Sequence, residues 1–353
     1  MRRGVIQIQF AWVFILIVGA IMLVFFFSFS QRLKSSAEGE HLLEVRQKLS
    51  SILSNAKQST GTFFKIQLPK EELIATCNGI TLGDFDAIDV GEAFSPDLIQ
   101  SIKGETYLWI QDWNIPFKVE NFIYITTPEV RYVIVDDKDS QKADVLFDLL
   151  PDAITKEKLE ITTNLNDVMN GIQEKRNYKV RIVYIGTETP DAVPPLLSSP
   201  DESDITALKI EPEIHPDYGV YDTHGTVTFY ENQERMFVKV EEPKPYVGQA
   251  MVYAAVFAER YDHYKCVMER AFVRLKQVTE VIRDRSDALD SYYGNNEGEC
   301  YDPSFYDVGN NGLNTLLNLG EFTEQGVIDI HSARHTLEGK NHGLKIASCP
   351  LIY

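Results

Sequence analysis

Six acidic or imidazole side chains crowd the stretch EPEIHPDYGVYDTH: Glu211, Glu213, His215, Asp217, Asp222 and His224. Carboxylates and imidazoles this close together are the ligand types of a divalent cation. The same stretch contains Pro212, Pro216 and Gly219, so it also reads as a turn-rich loop where acids and histidines are common. A second pair, His331 and His335, is spaced i, i+4 on a predicted helix, with His342 beyond. Two imidazoles so placed can share a zinc ion. A zinc hydrolase would need glutamate at 332, where Ser332 stands, so the pair has no general base beside it. A third group, Asp136, Asp137 and Asp139, follows a predicted strand and could gather Mg²⁺. Acids also simply end strands, and Asp139-Ser140 suits the N-cap of the next helix. Trp109 and Trp113 share one face of a strand, where they either stack on a sugar or fill a core.

None of these sets completes a catalytic constellation. No G-x-G-x-x-G follows the first strand of the α/β stretch and no G-x-x-x-x-G-K-S/T occurs, so both nucleotide-loop readings fall away. The sequence calls for no cofactor.

The element that must position the aspartates is the best-organised part of the chain. RYVIVDD, QKADVLFDLLP, LEITTNL, DVMNGIQEKRN and YKVRIVYIG alternate as strand, helix, strand, helix, strand. That alternation predicts a parallel sheet with covering helices. Ligands of such sheets lie beyond the carboxyl ends of the strands, here at Asp136, Asp137, Asn164, Gly186 and Thr187. The proline-rich, acidic stretch TPDAVPPLLSSPDESD then predicts an exposed loop, within a segment that runs over 187–224. ITALKIEPEI, GTVTFYE and RMFVKVEE follow as added strands, the last two joined as an antiparallel hairpin at Asn232-Gln233. Upstream, FFKIQL, ELIATC, ITLGDF, YLWIQDW and NFIYITT predict a β-rich segment with a tight turn at Asn78-Gly79.

Downstream, Gly248 to Tyr293 contains neither Pro nor Gly in its interior. Phe257, Tyr261, Tyr264, Met268, Ala271, Leu275, Val278, Ile282, Leu289 and Tyr292 recur at fours and threes, broken by Arg285. This predicts one long heptad helix, packed within its own chain or against another copy. Two shorter helices, from GLNTLLNLG and TEQGVIDIHSARHTLEG, form the predicted return, and the chain ends in an apolar CPLIY.

At the other end, Phe10 to Phe29 reads FAWVFILIVGAIMLVFFFSF, without a charge. Twenty such residues span the roughly 30 Å apolar core of a bilayer as a helix. Arg2 and Arg3 precede the run, and Arg32 and Lys34 behind it are offset by Glu38 and Glu40. The basic side stays in the cytoplasm, which places the body outside. Leu42, Val45, Leu49, Ile52 and Ala56 then form an apolar stripe that predicts an amphipathic stalk helix continuing the anchor.

The start MRRGVIQIQFAWVFILIVGAIML resembles a type IV prepilin-like (class III signal) N-terminus, with Arg2-Arg3-Gly4 as leader and Val5 as the new first residue. Gln9 stands where that start carries glutamate. The pattern also resembles uncharacterised archaeal single-pass membrane proteins. The resemblance covers about thirty residues and implies pilin-like assembly; it implies nothing about the body.

Arg2 and Arg3 are the only charges in the first thirty residues, so the rest carries 32 basic and 52 acidic side chains. Such a body repels nucleic acid. Its four cysteines, Cys77, Cys266, Cys300 and Cys349, all follow the anchor and allow three pairings, or else stay as buried thiols. From Cys266 to the predicted helix end is about 39 Å. The eight residues back to Cys300 reach about 27 Å at most, which disfavours that pair. A returning C-terminal segment predicts Cys266–Cys349 and leaves Cys77–Cys300.

The expected architecture is mixed α+β and α/β. A transmembrane anchor (1–30) continues into a stalk helix (31–58), then a β-rich segment (59–128). An α/β sheet segment with added antiparallel strands (129–246) precedes the long helix and its return (247–353). The expected function is that of a membrane-anchored, extracytoplasmic, non-catalytic surface protein. Its partners would be the lipid bilayer through Phe10–Phe29 and either further copies of itself or other surface proteins. The alternative is an extracytoplasmic metal-dependent enzyme or solute-binding receptor that uses the sheet edge or the His215–His224 loop.

Overall fold

The computed structural model describes residues 16–28, 43–55, 58–68, 73–82, 87–100, 104–136, 142–160, 179–197, 204–213, 218–294, 300, 303–309, 311–319 and 322–353. Asp137, Asn164, His215, Asp217, the leader and the predicted helix at 167–177 lie outside them. The chain divides into two units, 1–52 and 53–353. In the first, residues 16–28 are helical, and residues 43–52 belong to a helix that ends at 55. The apolar side chains of 16–28, Leu23 and Phe27 among them, are exposed. No helix among the described residues is long and apolar enough to cross a membrane, and only 16–28 of the Phe10–Phe29 run are among those described.

The second unit is a mixed α+β body. It opens with β1 (Thr62–Gln67), β2 (Leu73–Thr76), β3 (Gly79–Leu82), β4 (Ala93–Phe94), β5 (Leu98–Ile99), β6 (Glu105–Asn114) and β7 (Lys118–Thr126). These make a four-stranded sheet ordered β1-β6-β7-β4 and a three-stranded sheet ordered β3-β2-β5. The β2–β3 turn needs glycine at 79, where φ is +131° and an added Cβ would collide with the backbone of Ile88.

The seven-stranded sheet follows, from β8 (Val130–Asp136), β9 (Thr155–Glu160), β10 (Lys179–Ile185), β11 (Ile205–Pro212), β12 (His224–Gln233), β13 (Met236–Lys239) and β14 (Lys244–Val247). Its order is β13-β12-β11-β10-β8-β9, with β14 also on β12. Strands β9, β8, β10 and β11 run parallel, and β12 turns antiparallel. Every residue of β8 and β10 is buried, as in a sheet covered on both faces. β9 starts at Thr155, earlier than the predicted LEITTNL strand. The β12–β13 turn falls on Glu234-Arg235, both with positive φ, two residues beyond the expected Asn232-Gln233.

Helix α1 (Lys142–Leu149) follows β8, and α2 (Gln249–Phe257) and α3 (Tyr261–Gly294) follow β14. The sequence predicted α2 and α3 as one helix. The chain instead breaks at Ala258, whose backbone is extended at φ −71° and ψ 118°. Eight residues of α2, from Ala250 to Phe257, are buried. α2 packs against the four-stranded sheet, where Tyr124 donates to the Ala250 carbonyl at 2.8 Å, and also against β11 and β14. The seam residues Tyr264, Met268, Ala271 and Leu275 are buried in the same core, so α3 finds its partner within its own chain. Trp109 and Trp113 also belong to that core. Trp109 packs on Tyr253 and Phe257, and Trp113 on Phe122 and Phe272, so they form no sugar platform.

The opposite face of the large sheet is covered by the stretch read as an exposed loop. Val193 and Leu197 are buried against Ile182, Tyr184 and Phe237. Arg235 holds that stretch by donating to the carbonyls of Leu197 and Pro194. Val193, Pro194 and Leu197 supply the cover, and Asp191 stays exposed.

After α3 come α4 (Pro303–Tyr306), α5 (Leu313–Leu317) and α6 (Glu324–Ile346). The expected disulfides are both replaced. Cys77 pairs with Cys266 across Cα atoms 5.8 Å apart, and Cys300 with Cys349 across 5.6 Å. The reason lies in the route of the return. The segment before α6 already reaches the early part of α3, where Phe322 meets Tyr264 and Phe272. α6 then runs the other way and delivers Cys349 to the far end of α3. There Tyr306 donates to the Pro350 carbonyl, and Asn341 holds the backbone N–H of Ile352 at 2.8 Å. The β2–β3 turn takes the place beside Cys266.

Candidate functional site

The carboxyl edge of the parallel strands gathers several of the expected residues. β11 ends at Pro212, paired with Gly225 of the incoming β12. His224 thus stands beside Glu213, and its Nε2–H donates to Glu213 Oε2 at 2.6 Å. His331 arrives from α6, its ring centroid 4.5 Å from that of His224. The histidine of the loop and the histidine of the helix, far apart in sequence, are therefore neighbours. His224 Nδ1 is buried, and among the described residues no hydrogen-bond partner reaches it. The tautomer that serves Glu213 leaves this nitrogen with a lone pair and no donor.

One turn along α6, Arg334 donates to the Asp222 carbonyl at 2.7 Å and to Glu338 at 2.8 Å. Its guanidinium lies 4.7 Å over the Tyr218 ring, and the Tyr218 hydroxyl donates to Glu338 at 2.7 Å. Burial pushes the Asp222 carboxyl up, against the opposing pull of Arg334 and a hydrogen bond from Gln249. The cluster is a polar latch that holds α6 to the 218–224 segment. His335 points to solvent. Asp136 is buried at the end of β8, on the same edge as Tyr221, whose phenol is pushed up by burial and donates to the Lys142 carbonyl. Among the described residues, no three His, Cys, Asp or Glu side chains converge as a metal would require.

The amino edge of the same strands carries an arrangement that sequence reasoning missed. Lys179 opens β10 and meets both oxygens of Glu259, at 2.6 and 2.8 Å. The two side chains are 6% and 8% exposed. Asp204 lies 3.8 Å from the same ammonium, and the Asp97 N–H donates to Glu259 at 3.1 Å. Burial raises the Glu259 carboxyl, and the charge and hydrogen bond of Lys179 oppose that rise.

The break after α2 creates this pair. A helix end leaves carbonyls without partners. Arg181, two residues along β10 from Lys179, supplies donors to the carbonyls of Ala255, Ala258 and Glu259, and to Ala207. Its guanidinium also lies over Phe229, and burial lowers its pKa to about 10. With the helix end held by Arg181, the next residue, Glu259, turns onto Lys179. The signal available in the sequence was Lys179 and Arg181 on one face of a strand that is otherwise apolar. Two buried cations demand partners, and nothing local names them.

A cleft of about 410 Å³ opens over this pair, lined by Asp97, Lys179, Asp204, Glu231, Asn232 and Arg260 among others. Arg260 meets Asp97 at 3.3 Å and Asp262 at 3.6 Å. Asp97 and Arg260 also border a second cleft of about 460 Å³, whose wall contains the Cys77–Cys266 disulfide and His263. His263 is buried and donates from Nε2 to the Ala93 carbonyl at 3.0 Å; its burial lowers its pKa. The amino edge is thus a charged depression with room for a small molecule. In comparisons with protein-family models, curated proteins and solved structures, nothing matches this chain.

Proposed function

We propose that the chain is a membrane-anchored, extracytoplasmic, non-catalytic protein whose body serves assembly or binding. The observation that carries this reading is the complete pairing of the cysteines: all four lie after the apolar run, and they form two disulfides with no free thiol. Disulfides persist in oxidising compartments. The uncharged Phe10–Phe29 run supplies the anchor, and the basic leader sets its orientation. The resemblance to prepilin-like starts makes the N-terminal helix the element through which copies would assemble. The apolar seam of α3 is already filled by its own chain. A membrane-impermeant maleimide tests the placement. In intact cells, a single cysteine engineered at the exposed position Val281 reacts if the body is outside. Labelling only after the cells are opened would overturn the reading.

The solute-binding alternative draws support from the cleft at the amino edge.

A further inference from the structure

We propose that the Cys77–Cys266 disulfide is a redox-sensitive strap. A dithiol reductant that enters the cleft beside it opens this bond selectively and releases the β2–β3 hairpin from α3, while the rest of the body stays folded. The strap belongs to the body and does not depend on the anchor.

The first argument is access. Cys77 and Cys266 both stand in the wall of the cleft of about 460 Å³, and both are half-buried. Thiol–disulfide exchange needs the attacking thiolate to reach a sulfur, so an accessible disulfide is the labile one. The other disulfide is built differently. Cys349 is 7% exposed and belongs to the main core, and the half-buried Cys300 packs against that core. The chain beside Cys349 is pinned as well, by the Tyr306 hydroxyl on the Pro350 carbonyl and by Asn341 on the Ile352 N–H.

The second argument is what each bond holds. The hairpin Leu73–Leu82 pairs with β5 and with Ile88, and the Ala75 N–H donates to the Asp97 carbonyl at 2.8 Å. Among the described residues, no hydrogen bond or ion pair joins 73–82 to α3, and the disulfide is their link. The neighbouring segment 91–97 is tied far more heavily to the start of α3 and the corner before it. His263 donates to the Ala93 carbonyl at 3.0 Å and Arg270 to the Gly91 carbonyl at 2.6 Å, while Asp97 meets Glu259 at 3.1 Å and Arg260 at 3.3 Å. Opening the disulfide therefore frees the hairpin tip and leaves 91–97 in place. The two cysteines stay near each other, so the bond can form again.

In the step itself, one thiolate of the dithiol forms a mixed disulfide with either cysteine as the Cys77–Cys266 bond breaks, and the second thiol of the dithiol then displaces that cysteine. Two electrons pass to the pair, two protons settle on its sulfurs, and the reductant leaves as a cyclic or protein disulfide.

The test is limited reduction of the full chain in a non-ionic detergent with dithiothreitol, without denaturant, followed by iodoacetamide and peptide mapping. Cys77 and Cys266 should be alkylated about tenfold faster or more than Cys300 and Cys349. In the protein reduced at that bond alone, hydrogen exchange in 73–82 should quicken about tenfold or more, and stay unchanged in β8, β10 and α6. Cys77→Ser/Cys266→Ser should show the same exchange, which separates loss of the cross-link from the added alkyl groups. Glutathione disulfide, given before any alkylation, should restore the bond and the protection. Release of all four thiols together, or unchanged exchange in 73–82, would overturn the proposal. So would a reduction rate that rises with urea in step with global unfolding, since the bond would then open only in the unfolded chain. Labelling at position 281 in intact cells tests the placement of the body separately.

Discussion

Lys179 and Glu259 meet at 2.6 Å from positions 80 residues apart, both nearly out of solvent, at the point where helix α2 stops. Removing one partner strands the other charge. Lys179→Met or Glu259→Leu alone should cost about 3–5 kcal/mol in urea unfolding, whereas the double variant should recover most of that loss. Equal losses in the single and double variants would show that packing, not charge, dominates at this site.

His263 gives the stability a pH dependence of known sign. Burial lowers its pKa in the folded state below the ordinary 6.5. The unfolded chain therefore binds more protons between the folded value and 6.5, and stability rises with pH there. The contribution is complete above 6.5 and is lost as pH falls through the folded value. Urea midpoints from pH 5 to 7.5 should thus show a steeper acid-side loss in the wild type than in His263→Gln, which can still donate to Ala93. Glu259 and Asp222 are shifted upward and contribute the opposite slope, so the difference between the two proteins is the readout.

The disulfides close loops of 189 and 49 residues. The chain-entropy model assigns them about 5 and about 4 kcal/mol respectively. Cys77→Ser/Cys266→Ser should lower the thermal midpoint at least as far as Cys300→Ser/Cys349→Ser. Peptide mapping without reduction should join the fragment with Cys77 to that with Cys266. A fragment joining Cys266 to Cys349 would contradict the route described for α6.

Arg334 links α6 to the Asp222 carbonyl, to Glu338 and to the Tyr218 ring. Arg334→Ala should cost about 1–3 kcal/mol, because it leaves a partly buried acceptor without its donor. Hydrogen exchange should quicken in α6 and in 218–224, and stay unchanged in β8 and β10.

The parts of the fold legible in the sequence were those with strong local patterns. The runs 131–136 and 179–185 announced two strands of a parallel sheet, and Asn78-Gly79 announced a hairpin. What local pattern does not encode was missed. No Pro or Gly marks the break at Ala258, where Arg181, a residue on another element, satisfies the freed carbonyls. The disulfide partners depended on which stretch of the return lay beside Cys266, a tertiary choice. At the site, His224 and His331 were each visible as imidazoles with ligand spacing, but their meeting needed α6 to cross the edge of β12. Asp97, Lys179, Glu231 and Glu259 carried no motif at all, because their relationship is made by the sheet register and the end of α2.

The anchored, extracytoplasmic reading is tested most directly by the intact mass of protein extracted from membranes without reduction. The account predicts a chain that begins at Met1 or Val5, retains Phe10–Phe29, and is four hydrogens lighter than its reduced form. A chain beginning beyond Ser30, or one carrying four free thiols, would contradict it.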